Sequence, residues 1–334
     1  MRRAERDFME TGCLKADKLQ KVVFGIFGDE YFVQNSERLL GGAQKHVYKV
    51  QCTNNFTFVL YIWHKDTTYF EDSDDYGFTS NSAELFEVNS TFMIDNGINT
   101  PKLYFMDRTK KEHDFEYAIV EYIDGADLDF IAAEQPDRLK PALESLNSSI
   151  KKMHSIIRSQ AGTVNNPLVE PFSCLNYVLD GAQKNIEYLI TNFAPAENIQ
   201  ERINECLSLL YESSIDDEDD TNGYSFIHYE LGPNHVIVSN KNIAYLIDIE
   251  GAKFFDLEYE HSWLKFRFDE NYKHLANDDS SDSKMEYYMF CHHLGVLAGA
   301  HELSMKDFYD MDEVNGMIYW NFEQVKSFCD KYLG

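Results

Sequence analysis

A chain of 334 residues exceeds the size at which one hydrophobic core stops growing, roughly 250 to 300 residues, so a two-lobed globular protein is expected. Its 44% hydrophobic content, with 24 phenylalanines and 21 tyrosines, excludes a disordered or low-complexity chain. A formal net charge of -27 argues against direct binding to nucleic acid or to an anionic membrane, both of which would repel it.

The longest apolar run, FTFVLYIW at 56–63, is far shorter than the roughly 20 residues needed to span a bilayer, so no membrane segment is expected. Cys13, Cys52, Cys174, Cys206, Cys291 and Cys329 are scattered without metal-ligand spacing. That pattern suits reduced core thiols in a cytoplasmic protein better than a disulfide framework.

Residues 1–34 read as a helical lead-in, with ADKLQKVVFGIFG breaking at its glycines. Two alternating segments follow the pair Gly41-Gly42 and are joined by the turn signal Cys52-Thr53-Asn54-Asn55, which predicts a hairpin opened by a glycine turn. Leu85, Val88, Phe92 and Met93 then recur at helical spacing, and Asn96-Gly97 supplies the stop. PKLYFMD and FEYAIVEYIDG read as two further strands. From about 126 the periodicity turns helical, through PALESLNSSIKKMHSII and NIQERINECLSLLYESS. An acidic loop, SIDDEDDTNGYS at 214–225, leads to HYELGPNHVIV, a second hairpin and helices to the C-terminus. The change of periodicity places a lobe boundary near 125. The predicted organisation is a lead-in over 1–34, a sheet-and-helix lobe over 35–125 and a helical lobe over 126–334.

The stretches HYELGPNHVIV and LIDIEGAKFFDLEYE, together with the glycine turn ahead of a hairpin, resemble the aminoglycoside phosphotransferase and choline kinase-like family, across roughly residues 35–300. The family's catalytic loop reads His-Gly-Asp-Leu-His-Pro-Gly-Asn, and its metal motif centres on Ile-Asp. The resemblance implies an α+β, bilobal protein-kinase-like fold, with a small antiparallel sheet lobe and a larger helical one. It implies an ATP-dependent phosphotransferase, with GTP left open as donor, that uses Mg2+ and a small-molecule hydroxyl acceptor. His228, Leu231 and Pro233 match the catalytic loop over 228–235, and Asp248, followed by Glu250, matches the metal motif over 247–250. Asp256 falls at a later acidic position that supports the loop. Gly41 and Gly42 match the nucleotide-covering turn, Glu87 the helical glutamate, and Glu121 and Tyr122 the hinge against which adenine lies. Three positions depart from the pattern. Glu230 replaces the catalytic aspartate, His235 the metal-binding asparagine, and Tyr61 the usual lysine or arginine of FVLYI.

The residues support a site independently of the family. A hairpin turning at Lys241-Asn242 sets His235 opposite Asp248, with Glu230 in the loop just before it. An acid to orient a nucleophile and ligands for a phosphate-bridging metal are what phosphoryl transfer requires. Glu230, His235 and His228 are the catalytic candidates, and Asp248 and Glu250 the metal candidates. Magnesium prefers oxygen ligands, so His235 is read as contacting a phosphate or orienting Glu230 or Asp248. Tyr61 cannot supply the positive charge that a lysine gives to phosphates, and the nearest later cation on its face is Lys65. His292, His293 and His301 lack the spacing of a zinc pair and read as structural. Glu258, Glu260, Asp269 and Glu270 suit a cationic acceptor and equally a solvated acidic surface. The oligomeric state stays open, as does a catalytically silent nucleotide- or ligand-binding module on the same scaffold.

Overall fold

The computed structural model describes residues 14, 16–39, 45–64, 78–79, 82–169, 171–215, 223–277, 281–306 and 310–334. The expected α+β class is borne out, with an N-terminal antiparallel sheet and a mainly helical C-terminal part. The chain divides into two compact units, one of residues 1–153, 163–166 and 233–252 and the other of 154–162, 167–232 and 253–334.

In the first unit, β1 (Val33–Leu39), β2 (His46–Cys52), β3 (Thr57–Trp63), β4 (Leu103–Asp107) and β5 (Glu116–Glu121) form one antiparallel sheet in the order β1-β2-β3-β5-β4. Among the described residues, the predicted helical lead-in is a helix over Ala16–Phe27, and Val33–Leu39 is an edge strand. That strand is mostly exposed and lacks clean alternation, so its sequence carries no strand period. Alternation in the central strands separates two faces. Tyr48, Val50, Phe58, Leu60, Ile62, Tyr117 and Ile119 pack with Leu19 and Val23 of the helix Ala16–Phe27 in one buried cluster. The opposite face carries Val47, Lys49, Val59 and Tyr61, since Val47 pairs with Tyr61 and Lys49 with Val59.

The helix Ala83–Asp95, N-capped by Ser82, is the one predicted from Leu85, Phe92 and Met93. The unit continues past residue 125 because β6 (Gly125–Asp127) pairs with β9 (Val236–Ser239), which in turn pairs with β10 (Ala244–Leu246). Gly125 is required there, because a Cβ on it would sit 2.1 Å from the Val238 carbonyl oxygen. Arg138 clamps the β9–β10 turn, its Nε donating to Asn242 Oδ1 at 2.8 Å and its Nη2 to the Ser239 carbonyl at 2.7 Å.

The second unit holds a small sheet of β7 (Ile157–Arg158), β8 (Tyr224–Ile227) and β11 (Lys253–Phe255), and the long C-terminal helices. The helix Asp282–Ser304 is buried on most sides, among the helices Cys174–Asn192, Gln200–Ile215, Leu257–Phe268 and Met311–Leu333. Its histidines serve packing, with His292 Nε2 2.8 Å from Ser262 Oγ and His293 Nδ1 3.0 Å from Asn321 Oδ1. Among the described residues no helix is long and apolar enough to cross a membrane.

Candidate functional site

A positive charge lies beside Tyr61, just ahead of the neighbouring strand. Lys45 immediately precedes β2, and continuing the Val47–Tyr61 and His46–Ile62 register sets it beside Trp63, on the same face as Tyr61. Its ammonium lies 5.3 Å from the Tyr61 ring centroid and 6.0 Å from that of Trp63. It is 2.5 Å from Asp248 Oδ1 and 2.5 Å from Glu250 Oε1. Burial opposes the charge of Lys45, but the two carboxylates outweigh it and hold the ammonium firmly protonated. Burial pushes the Tyr61 phenol up to about 12, so it stands as a neutral wall beside the ammonium. Lys65, the cation considered from the sequence, lies outside the described residues, as do Gly41 and Gly42.

The β9–β10 hairpin delivers Asp248 by a route that differs from the expected one. Val238 pairs with Ala244 and Val236 with Leu246, one residue out from the predicted register. The turn holds three residues, Asn240 to Asn242, and Asn242 adopts φ 58°, the left-handed residue that closes a three-residue hairpin loop. The His235 carbonyl therefore accepts from the Ile247 N–H at 3.0 Å, and Asp248 is not its ladder partner. Asp248 still reaches it, because its own backbone turns left-handed at φ 59° and ψ 47°, bringing Oδ2 to 3.4 Å from His235 Nε2. Asp248 is 41% exposed, and the ion-paired Glu250 is 1% exposed. Burial raises the Glu250 pKa against the pull of Lys45. Asn89 of the helix Ala83–Asp95 is fully buried and donates to the carbonyls of Ile249 at 2.8 Å, Ala252 at 3.0 Å and Glu250 at 3.3 Å.

The second unit contains the start of the catalytic-loop stretch. Tyr229 has φ 81°, a left-handed conformation that an aromatic residue rarely adopts, at the position where the family pattern has glycine. Its ring stacks on Tyr259 at 4.5 Å between centroids, with the Lys253 ammonium 3.4 Å from its own centroid. The Glu260 carboxylate accepts the backbone N–H of His228 at 3.2 Å and of Tyr229 at 2.8 Å. Glu260 therefore supports the loop backbone that leads into Glu230. Asp256, expected in that role, instead accepts the Tyr288 hydroxyl at 2.7 Å and faces Lys284 at 3.6 Å. His228 is fully buried, whereas Glu230 is partly exposed.

The other predicted residues lie in the first unit. Glu87 accepts from Arg108 Nη1 at 3.0 Å, and Arg108 also binds Glu84 at 2.8 Å, so the helical glutamate is engaged away from Lys45. Glu121 Oε2 accepts the Lys102 N–H at 3.2 Å. The Tyr122 hydroxyl accepts from Lys49 Nζ at 2.9 Å, with that ammonium 4.3 Å from the Tyr122 ring centroid.

Magnesium fits this donor set in a limited way. It keeps several waters and binds through one or two carboxylates plus phosphates, and Asp248 offers a half-exposed carboxylate. Glu250 has no comparable access from solvent. Among the described residues no group of three or more His, Cys, Asp or Glu forms a metal cage.

Burial pushes Glu260 up to about 7 from 4.5, against the two N–H groups that favour its charged form. Its folded state thus holds a proton that the unfolded chain releases. The stability this contributes is fully present below pH 4.5 and is lost as pH rises through 7. Glu258, raised by burial and by its hydrogen bond with Asp256, acts in the same direction. Urea unfolding is expected to show about 1 kcal/mol of Glu260-dependent stability lost between pH 6 and pH 8. An unchanged pH slope in Glu260→Gln would refute this assignment.

The sequence matches no protein-family model and no curated protein. Solved structures do match. Aminoglycoside phosphotransferase APH(4)-Ia superposes with a TM-score of 0.65 at 14% identity, over 96% of this chain and 100% of its own. The choline kinase LicA from Streptococcus pneumoniae gives 0.61 at 16% identity, over 94% and 98%. The GDP complex of an aminoglycoside 2'-phosphotransferase-IIIa mutant gives 0.59 at 15% identity, over 96% and 99%. The sequence resemblance is borne out at the level of architecture: this chain has the fold of the aminoglycoside phosphotransferases and choline kinases.

Proposed function

We propose that the chain is an ATP-dependent phosphotransferase, GTP remaining an open alternative as donor, acting on a hydroxyl of a small molecule. The observation that carries this reading is the Lys45–Asp248–Glu250 constellation. A buried ammonium and a half-exposed carboxylate are kept together although the usual lysine position holds Tyr61. An inert relative has no need to keep a cation buried beside two carboxylates, an arrangement whose desolvation is costly.

In this reading Lys45 binds the phosphates and Asp248 is the protein ligand of magnesium, which supplies neutralisation of phosphate charge when bound. His235, 3.4 Å from Asp248, orients that carboxylate. Glu230 accepts the proton of the acceptor hydroxyl, on a loop backbone that Glu260 fixes. A thermostable mutant of APH(4)-Ia forms a ternary complex with AMP-PNP and hygromycin B, which supports a small-molecule acceptor for this fold. With a net charge of -27, the chain suits a cationic acceptor, and an amine-bearing alcohol is the class to test first.

Asp248→Ala is expected to abolish the magnesium dependence of nucleotide binding while the fold survives, since Asp248 is 41% exposed. Calorimetry showing the same magnesium dependence as in the wild type would refute the assignment. The second reading is a nucleotide-binding module without turnover, favoured by the substitutions at Glu230 and His235. Magnesium-dependent ATP binding with no turnover would select it.

A further inference from the structure

We infer that Glu250 is the positioning residue for Lys45, taking over the part that a helical glutamate plays toward the phosphate-binding lysine of a kinase. This rests on the phosphotransferase reading and adds to it which carboxylate stays with the lysine and which is exchanged. In protein kinases that lysine is paired by a glutamate on the helix after β3, and the pair must be in place for activity. Here the helix Ala83–Asp95 sends Glu87 to Arg108. It reaches the lysine by another route, through Asn89, whose Nδ2 holds the carbonyls of Ile249, Glu250 and Ala252. That grip fixes the backbone of Glu250, and Oε1 of Glu250 fixes Lys45 at 2.5 Å.

The two carboxylates on Lys45 are not equivalent. Glu250 is 1% exposed, and its Oε2 has no hydrogen-bond partner among the described residues, so its engaged oxygen serves the lysine. Asp248 is 41% exposed and can meet a second cation from solvent. An ammonium has three N–H donors, and two of them are directed at these carboxylates. With Asp248 engaged by a metal-bound nucleotide, Glu250 would keep Lys45 oriented, and the ammonium would exchange its Asp248 contact for phosphate oxygen. The original lysine–glutamate pair has thus moved as a unit: the cation from β3 to the residue before β2, and the anion from the helix to the turn after Asp248.

The test compares Glu250→Gln with Glu87→Ala, each assayed well below its melting temperature. Loss of one charge-assisted hydrogen bond to the lysine should raise the KM or Kd for ATP about tenfold in Glu250→Gln. The KM for the acceptor should stay within about twofold, a split that general loosening of the fold would not produce. The Glu250→Gln effect on ATP should exceed that of Glu87→Ala by about tenfold, and it should vanish when Lys45 is already methionine. Unfolding measurements on the same Lys45→Met and Glu250→Gln cycle should be strongly non-additive. Equal effects of the two glutamate substitutions, or an additive cycle, would overturn the inference. A wild type that binds no nucleotide would instead mark failure of the phosphotransferase reading itself.

Discussion

Lys45→Met is expected to lower the unfolding free energy by about 3–5 kcal/mol, the cost of breaking a buried ion pair by removing one partner. Methionine keeps most of the aliphatic stem against Tyr61 and Trp63, so packing contributes little to this loss. The damage falls on Glu250, which is 1% exposed and whose Oε2 has no partner among the described residues. Without the ammonium it must take up a proton or face Asp248 as a like charge. Glu250→Gln in the same chain should therefore restore most of the stability, while nucleotide affinity stays lost because the phosphate-binding cation is absent. Urea denaturation checks the first statement and nucleotide titration the second. A loss below about 1 kcal/mol would show that the pair is solvated in solution, as exposed ion pairs are.

Glu230→Gln is expected to reduce turnover at least about a hundredfold, the low end of a general base's contribution, with nucleotide affinity little changed. The amide keeps the size and hydrogen bonding of the side chain but cannot accept the hydroxyl proton. Glutamate is about one carbon–carbon bond longer than the aspartate of the family pattern, and a misplacement near 1 Å costs on the order of a hundredfold. The loop therefore has to be set to suit the longer side chain. The left-handed Tyr229, immediately before Glu230, is fixed by stacking on Tyr259 and by donating its N–H to Glu260. Equal turnover in wild type and Glu230→Gln would remove Glu230 from the mechanism.

Much of the architecture was legible because it is encoded locally. Alternation in FTFVLYIW, the turn residues after Cys52 and the helical spacing of Leu85, Phe92 and Met93 each act over a few residues, and the elements they predict are present. What could not be read locally depends on register. A count of three turn residues instead of two, decided by Asn242 at φ 58°, shifts the β9–β10 pairing by one residue. Lys45 carries no signal along β3, whose next cation is Lys65. The informative direction was across the ladder, where Val47 opposite Tyr61 sets Lys45 beside Trp63. Glu260 and Asn89 carried no motif, since each acts through backbone groups brought near by the fold. Tyr229 could have been noticed as a non-glycine in a glycine position, which is a signal of retained loop shape at a steric cost.

Every role assigned to the site depends on phosphate transfer with Lys45 as the phosphate-binding cation. The most direct test is ADP production from ATP and magnesium across a panel of aminoglycosides, macrolides, amino alcohols and sugars, with wild type and Lys45→Met side by side. Acceptor-dependent turnover by the wild type and its near-complete loss in Lys45→Met are expected. Nucleotide binding by the wild type without turnover on any acceptor, or undiminished turnover in Lys45→Met, would contradict it.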